Sequence, residues 1–191
     1  MDSLHNSQDL LLRLAKLEEE NLRFRREIEF LKTHTSIAQG IRGETLISRA
    51  IGTATTSYAA AYDMETDDGK RIEIKFSKLN QPSKTASTRR WNWSKPLGWL
   101  DKGKDYDFLL LIGEKDDRFS DQSIDSTPYV YFLVPMSEVA AVMDSGASIG
   151  GMIQITTNLS KLRRKQSPVR LLDFQHNFED ILGRLGSVTA A

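Results

Sequence analysis

Residues 63–77 read DMETDDGKRIEIKFS, two strand-like runs separated by the turn signal DDG at 67–69. A three-residue hairpin loop combines a type I turn with a last residue in the left-handed region. That last residue is usually glycine, and Gly69 occupies the position. Counting back along both strands from this loop places Asp63 opposite Glu73. The stretch therefore predicts a β-hairpin whose pairing register is set by the length of its loop.

This register gathers three ionisable side chains on one face of the hairpin. Cross-strand neighbours lie about 5 Å apart at Cβ and share a face, so Asp63 lies beside Glu73. Lys75 is two residues further along the strand and shares that face, whereas Ile74 points to the other. A two-residue loop would instead separate the two acids onto opposite faces.

Two carboxylates at this separation form an oxygen-only site that is suited to Mg²⁺. A metal there lowers the pKa of a bound water and offsets charge on a phosphate. A neighbouring lysine holds or deprotonates the attacking water, or stabilises the transition state. The alternative is a surface hairpin whose outer face carries these residues without a function.

The pattern resembles the PD-(D/E)xK nucleases, the restriction-endonuclease-like superfamily. The matching residues are Asp63, the triplet Glu-Ile-Lys at 73–75, and Glu44 in a preceding predicted helix. The order of helix, two strands, further strands and a helix also agrees, over roughly residues 36–145. One departure is Tyr62, which stands where the motif has its proline.

The resemblance implies an α/β fold, namely an α+β mixed sheet flanked by helices, and a Mg²⁺-dependent endonuclease that hydrolyses DNA phosphodiester bonds. It implies that Asp63, Glu73 and the backbone carbonyl of Ile74 hold Mg²⁺, for which Mn²⁺ can substitute. Lys75 would act on the water and Glu44 would assist. The expected product carries a 5′-phosphate.

The remaining segments of the predicted nuclease domain, residues 36–191, agree with such a fold. Continuous apolar runs are typical of buried central strands, and a serine before an apolar segment favours a helix start. These patterns predict a helix over 36–51, strands over 107–112, 129–134 and 152–156, and a helix over 138–143.

Residues 10–32 predict one helix with a heptad seam. The seam has Leu14, Asn21 and Ile28 at position a, and Leu10, Leu17, Phe24 and Leu31 at position d. In a parallel dimer, each g residue meets an e residue of opposite charge: Arg13 with Glu18, Glu20 with Arg25, and Glu27 with Lys32. We therefore predict that residues 1–33 form a homodimerising coiled coil. The alternative is an amphipathic helix folded against its own domain.

A polar, basic segment over 80–95 follows the strand that carries Lys75 and is interpreted as a substrate-binding loop. Arginine and lysine can bind phosphates, and arginine and asparagine can read base edges. The candidate DNA contacts are Lys78, Lys84, Arg89, Arg90, Asn92 and Lys95. Trp91 and Trp93 either stack on bases or, in the favoured interpretation, anchor the segment to the core. A second basic cluster spans 161–165.

The composition excludes several other classes of protein. The chain has 191 residues and no cysteine, which excludes disulfides, thiolate metal sites and cysteine nucleophiles. Lys and Arg number 26, as do Asp and Glu, which argues against a non-specific nucleic-acid coater. No apolar run approaches the ~20 residues of a membrane span. We expect a cytoplasmic protein without a membrane partner.

These patterns together predict a small homodimeric type II restriction endonuclease, part of a restriction–modification system, that cuts double-stranded DNA at a palindromic site. One alternative is a repair, recombination or phage-related nuclease of the same fold. Another, from a different class, is a non-catalytic coiled-coil adapter that binds a protein or nucleic acid.

Overall fold

The computed structural model describes residues 2–52, 54–56, 60–94, 98–99, 102–122, 124–145, 147–149, 152–159 and 171–185. Four α-helices occur in these ranges: α1 (Asp2–Thr33), α2 (Thr35–Ile51), α3 (Met136–Ser145) and α4 (Phe178–Leu185). The strands in them are β1 (Met64–Glu65), β2 (Arg71–Ser77), β3 (Arg90–Ser94), β4 (Gly98–Trp99), β5 (Lys102–Gly103), β6 (Phe108–Glu114), β7 (Tyr129–Pro135), β8 (Ala147–Ile149), β9 (Met152–Thr156) and β10 (Gln175–His176).

The chain divides into two compact units, Met1–Ala38 and Gln39–Ala191. The first contains α1 and the start of α2, and the second contains the rest of α2 and all of the strands. No helix in the described ranges combines the length and hydropathy that crossing a membrane requires.

A mixed five-stranded sheet forms the centre of the second unit, in the order β1-β2-β6-β7-β10. β2 and β6 run parallel, with Glu73 beside Leu109 and Lys75 beside Leu111, and the other neighbours are antiparallel. The predicted mixed sheet with helices is therefore confirmed. So are the strands expected over 107–112 and 129–134.

Both faces of the central sheet are covered, which explains why β6 and β7 are continuous apolar runs. On one face, Ile74 and its neighbours pack with Ile47 of α2 and Ile181 of α4 in one buried cluster. On the other face, Leu109 and Leu111 belong to a second cluster, which includes the two tryptophans of β3. Alternation along β2 therefore turns Glu73, Lys75 and Ser77 towards the side of the tryptophans.

A second, three-stranded sheet has the order β3-β9-β8 and supplies those tryptophans. The interpretation of 80–95 as a loop is wrong for 90–94, because these residues pair antiparallel with β9. Trp91 and Trp93 are fully buried, and their indole N–H groups donate to the carbonyls of Glu114 at 2.8 Å and Ile112 at 2.9 Å. The tryptophans are core anchors, as favoured from the sequence.

The first helix is longer than expected, since α1 begins at Asp2 rather than at residue 10. Its seam residues Leu10, Leu14, Leu17, Phe24 and Ile28 are between 51% and 59% exposed, and Asn21 is exposed as well. Apolar residues of the helix outside the seam are exposed as well: Leu11, Leu12, Leu22 and Phe30. The side chain of Leu31 lies outside the described residues. In the single chain, this helix therefore presents apolar side chains to solvent on more than its heptad seam.

Candidate active site

The hairpin adopts the register that a three-residue loop predicts. Met64 pairs with Ile72, the N–H of Thr66 donates to Lys70 at 2.9 Å, and the N–H of Gly69 donates to Thr66 at 2.8 Å. Gly69 has a φ of 80°, in the left-handed region that favours glycine. A local feature of the sequence thus positions the residues that come before and after the hairpin loop.

Asp63 lies just beyond the paired residues of β1. Its N–H donates to the carbonyl of Ile72 at 3.0 Å, and its Oδ2 accepts from the N–H of Ile74 at 2.7 Å. The side chain thereby takes the place that a neighbouring strand would occupy on the free edge of β2. This contact holds the carboxylate beside the face that carries Glu73 and Lys75.

The ammonium group of Lys75 is the point on which this cluster converges. Nζ donates to Oε1 of Glu73, and lies 3.3 Å from the carbonyl oxygen of Ile74 and 3.6 Å from Oδ2 of Asp63. These are the three groups that the resemblance implied as metal ligands. The structure therefore places all three around one cationic position.

Lys104 is a member of the cluster that was not predicted from the sequence. Its Nζ donates to Oε2 of Glu73 at 3.0 Å, so each oxygen of that carboxylate accepts from a lysine. Lys104 precedes β6, and the parallel pairing of β2 with β6 brings it to Glu73 from 31 residues away. The one sequence feature that could have indicated Lys104 is its basic side chain just before a buried strand.

The cluster is half-closed rather than openly exposed. The side chain of Glu73 is fully buried, whereas those of Asp63, Lys75 and Lys104 keep 17%, 20% and 23% of their surface exposed. Glu73 is buried because the second sheet packs on the side of the central sheet to which it points. Solvent therefore reaches the cluster through Asp63 and the two lysines.

Burial and the neighbouring charges shift the pKa values of Glu73, Lys75 and Tyr106. Burial raises the pKa of Glu73, against the opposing charge of Lys75. Burial lowers the pKa of Lys75, but the charges of Asp63 and Glu73 outweigh it, so that the net pKa lies above its ordinary value. Burial, followed by the charge of Glu73, raises the pKa of the nearby Tyr106 hydroxyl. The lysine is therefore held as a cation.

Glu44 of α2, to which the resemblance gave an assisting role, interacts electrostatically with the same cluster. Burial, followed by the charge of Asp63, raises its pKa, and Lys75 opposes this. The helix comes close to β2 at Gly43, where a Cβ atom would lie 3.0 Å from Cβ of Phe76. At Gly40 a Cβ would make only an ordinary contact, 3.7 Å from Glu44 itself. Gly43 thus permits the approach that brings Glu44 to the cluster.

The predicted DNA contacts are dispersed. Lys78 and Lys84 are exposed, whereas Arg89 forms an ion pair with the buried Asp116 at 3.5 Å. Arg90 and Asn92 are half-buried on β3. Two further candidates, Lys95 and the cluster at 161–165, lie outside the described residues.

The oxygen donors at the cluster are few in number, but their chemistry fits a hard divalent cation. Within the described ranges, no group of three or more histidine, aspartate or glutamate side chains is arranged to hold a metal ion. The oxygens that converge on the Lys75 ammonium come instead from two carboxylates, Asp63 and Glu73, and the Ile74 carbonyl. Oxygen ligands of these kinds are those that Mg²⁺ takes, with water completing its shell.

No protein-family model matches this chain, and no curated protein resembles it at a significant level. The functional inference therefore depends on the geometry of the cluster.

Proposed function

We propose that this protein is a Mg²⁺-dependent DNA endonuclease with a restriction-endonuclease-like fold, most similar to the type II restriction enzymes. The observation that carries the proposal is the convergence of the Asp63 and Glu73 carboxylates and the Ile74 carbonyl on one cationic position. Two acids and a backbone oxygen surround the Lys75 ammonium at a partly open site, and oxygen ligands of these kinds are those that a divalent cation takes.

The chain's own residues would have separate roles in metal binding and catalysis. The Ile74 N–H orients Asp63, and Lys104 holds Oε2 of Glu73. When bound by these carboxylates and the Ile74 carbonyl, Mg²⁺ supplies an acidified water and offsets charge on the phosphate. The ammonium of Lys75 must then leave the shared position towards solvent. From there the ammonium can hold the attacking water by a hydrogen bond or stabilise the charge of the transition state.

The partner that we propose is a second copy of the chain, joined through α1. The seam residues are exposed in the single chain, and the charges at positions e and g are complementary for a parallel pair. Asn21 at an a position favours one register. Such a dimer carries two catalytic domains, one for each DNA strand, and its two-fold symmetry favours a palindromic site.

The test is incubation of the full chain with supercoiled plasmid in Mg²⁺, in Mn²⁺ and with a chelator. Glu73→Gln serves as the matched variant, because an amide retains the shape and part of the hydrogen bonding at a buried position. We expect metal-dependent cleavage by the wild type and none by the variant. Discrete fragments would support a restriction role, whereas cutting only at ends or unusual structures would support a repair, recombination or phage-related nuclease.

A non-catalytic coiled-coil adapter is the second candidate, and one observation favours it. Glu73 is closed from solvent and has a lysine on each oxygen, as in a structural ion-pair network. DNA binding of equal strength by the wild type and Glu73→Gln, without cleavage in any metal tried, would favour the adapter over the nuclease.

A further inference from the structure

The face of the β3–β9 ribbon opposite the tryptophans carries polar side chains whose orientation is fixed by the residues between them. Trp91 and Trp93 point into the core and are held there by their indole hydrogen bonds. Because side chains alternate along a strand, Arg90 and Asn92 point the other way. Gly113 of β6 makes this orientation possible, since a Cβ there would lie 2.6 Å from the Trp91 indole nitrogen.

The pairing of the two strands adds residues from β9 to that face. Asn92 is directly opposite Gln154, and Arg90 is directly opposite Thr156. Direct cross-strand neighbours share a face, so the ribbon presents a guanidinium, two carboxamides and a hydroxyl together. All four residues are half-buried, so each keeps part of its surface exposed while its side-chain freedom is limited.

The backbone of β3, the strand that carries Arg90 and Asn92, is hydrogen-bonded to the strand of the candidate active site. The backbone N–H of Asn92 donates to Oγ of Ser77 at 2.8 Å. Ser77 is two residues beyond Lys75 on β2 and shares its face. A ligand that has a phosphate at the Lys75 cluster therefore lies close to the ribbon.

Two polar atoms of the ribbon lack partners. Within the part of the chain that the structure describes, Nε of Arg90 and Oδ1 of Asn92 are buried and have no hydrogen-bond partner. Buried polar atoms are nearly always paired, so each such atom calls for an explanation. Beside them, Nε2 of Gln154 donates at 3.5 Å to the thioether of Met152.

We propose that this face, formed by Arg90, Asn92, Gln154 and Thr156, reads base edges in the major groove of the DNA. The inference rests on the proposed function and deepens it by naming the residues that select the sequence. The major groove admits a two-stranded β-ribbon, arginine pairs with guanine, and asparagine or glutamine pairs with adenine, each through two hydrogen bonds. The residues of the ribbon match that chemistry, whereas a phosphate-binding surface would need mainly cations.

The test uses the full chain with Glu73→Gln, so that bound DNA is not cut. Duplexes with a random core are selected by this protein in Mg²⁺ and sequenced. The selection is repeated with Gln154→Ala, Gln154→Glu and Asn92→Ala added. We expect the parent to enrich a motif. Gln154→Ala should relax the preference at one base pair by roughly 10- to 100-fold, and Gln154→Glu should move it from adenine towards cytosine. The glutamate variant keeps the size of the side chain, so it remains informative if the alanine variants fold poorly.

Lys78→Ala provides the comparison, because an exposed phosphate contact should weaken binding to all sequences and leave the motif unchanged. An unchanged motif with folded Gln154 variants would overturn the proposal, as would selection that enriches no motif. If the wild type cleaves plasmid and either of these results is obtained, the proposed base-reading role of the ribbon is wrong, whereas the proposed nuclease activity is supported. If the Gln154 variants change the selected motif but the wild type does not cleave DNA, the proposed nuclease activity is wrong, whereas the proposed base-reading role of the ribbon is supported.

Discussion

The carboxylate of Asp63 accepts a hydrogen bond from the backbone N–H of Ile74, at 2.7 Å, on the edge of β2 that β1 leaves unpaired. A side chain here replaces a strand, and the short length of β1 is what makes room for it. The same edge carries the Ile74 carbonyl that Lys75 contacts. The site is thus built where the sheet stops, because only there are backbone groups of a central strand open to other ligands.

Replacement of Lys75 should separate metal binding from catalysis. Since its ammonium lies where the three oxygens converge, Lys75→Met should tighten Mn²⁺ binding while lowering the cleavage rate by about 10²- to 10³-fold, the usual cost of removing a group that stabilises transition-state charge. Calorimetric titration with Mn²⁺ and single-turnover cleavage measure the two effects. Lys16→Met, at an exposed position of α1 outside the heptad seam and the cluster, is the control. Weaker Mn²⁺ binding by Lys75→Met would contradict the shared position.

Replacement of Lys104 should change the pH dependence of cleavage. The charge of Lys104 lowers the pKa of Glu73, which burial raises, so its removal raises that pKa further. Glu73 must be ionised to bind metal, and Lys104→Met should therefore shift the acid limb of the rate–pH profile to higher pH. The rate at alkaline pH should be largely retained. Lys104→Arg keeps the charge and should restore the wild-type profile; equal profiles for all three proteins would show that Lys104 does not act through Glu73.

Two glycines of α2 should differ in their tolerance of alanine. At Gly43 the new Cβ would lie 3.0 Å from Cβ of Phe76 and 3.3 Å from Cγ2 of Ile74, so the helix must shift away from β2. At Gly40 there is room, and alanine favours a helix by up to about 1 kcal/mol over glycine. Gly43→Ala should therefore be less stable than Gly40→Ala by about 1–3 kcal/mol, the usual cost of overpacking. Urea unfolding measures this difference, and equal stabilities would contradict the close packing.

Asp116 should stabilise the fold in a pH-dependent manner. The hydrogen bond from Arg118 lowers its pKa to about 2, with a further contribution from Thr157. Its pKa in the folded protein is below the value in the unfolded chain. The stabilisation is therefore fully present above about pH 4 and is lost as the pH falls through about 2.

Asp116→Asn should accordingly lower the free energy of unfolding by about 2 kcal/mol at pH 7, a typical value for hydrogen bonds to a charged group. The difference between variant and wild type should shrink as the pH falls towards 2. Urea unfolding at several pH values measures it. A difference that does not depend on pH would show that the carboxylate charge contributes nothing.

The coiled coil should respond to charge reversal at a single pair. In a parallel dimer Glu20 meets Arg25 of the second copy, so Glu20→Lys places like charges together at two symmetric positions. Surface pairs contribute about 0.5 kcal/mol each, which predicts dimerisation weakened by roughly fivefold. The double variant Glu20→Lys with Arg25→Glu should restore it. Light scattering measures the number of chains per particle. A monomer at micromolar concentration would refute this helix as the dimeriser, and so would a dimer that persists after deletion of residues 1–33.

Local sequence signals were sufficient for the hairpin and the apolar strands. Gly69 ends a three-residue loop, and loop length sets register because side chains alternate with a period of two. The gathering of Asp63, Glu73 and Lys75 follows from that register alone. The buried strands β6 and β7 could also be predicted from the sequence, since a strand covered on both faces is apolar throughout.

Only the tertiary structure decided how that site is enclosed. Arg90–Ser94 became β3 because β9, some sixty residues further on, supplies its hydrogen bonds, and no local pattern encodes such a partner. The parallel pairing of β2 with β6 brought Lys104 to Glu73, and the tryptophan-bearing sheet buried that carboxylate. Turn geometry acts over a few residues and can be read from their identity. Strand partnership and burial depend on which distant segments meet, and that is settled only when the whole chain packs.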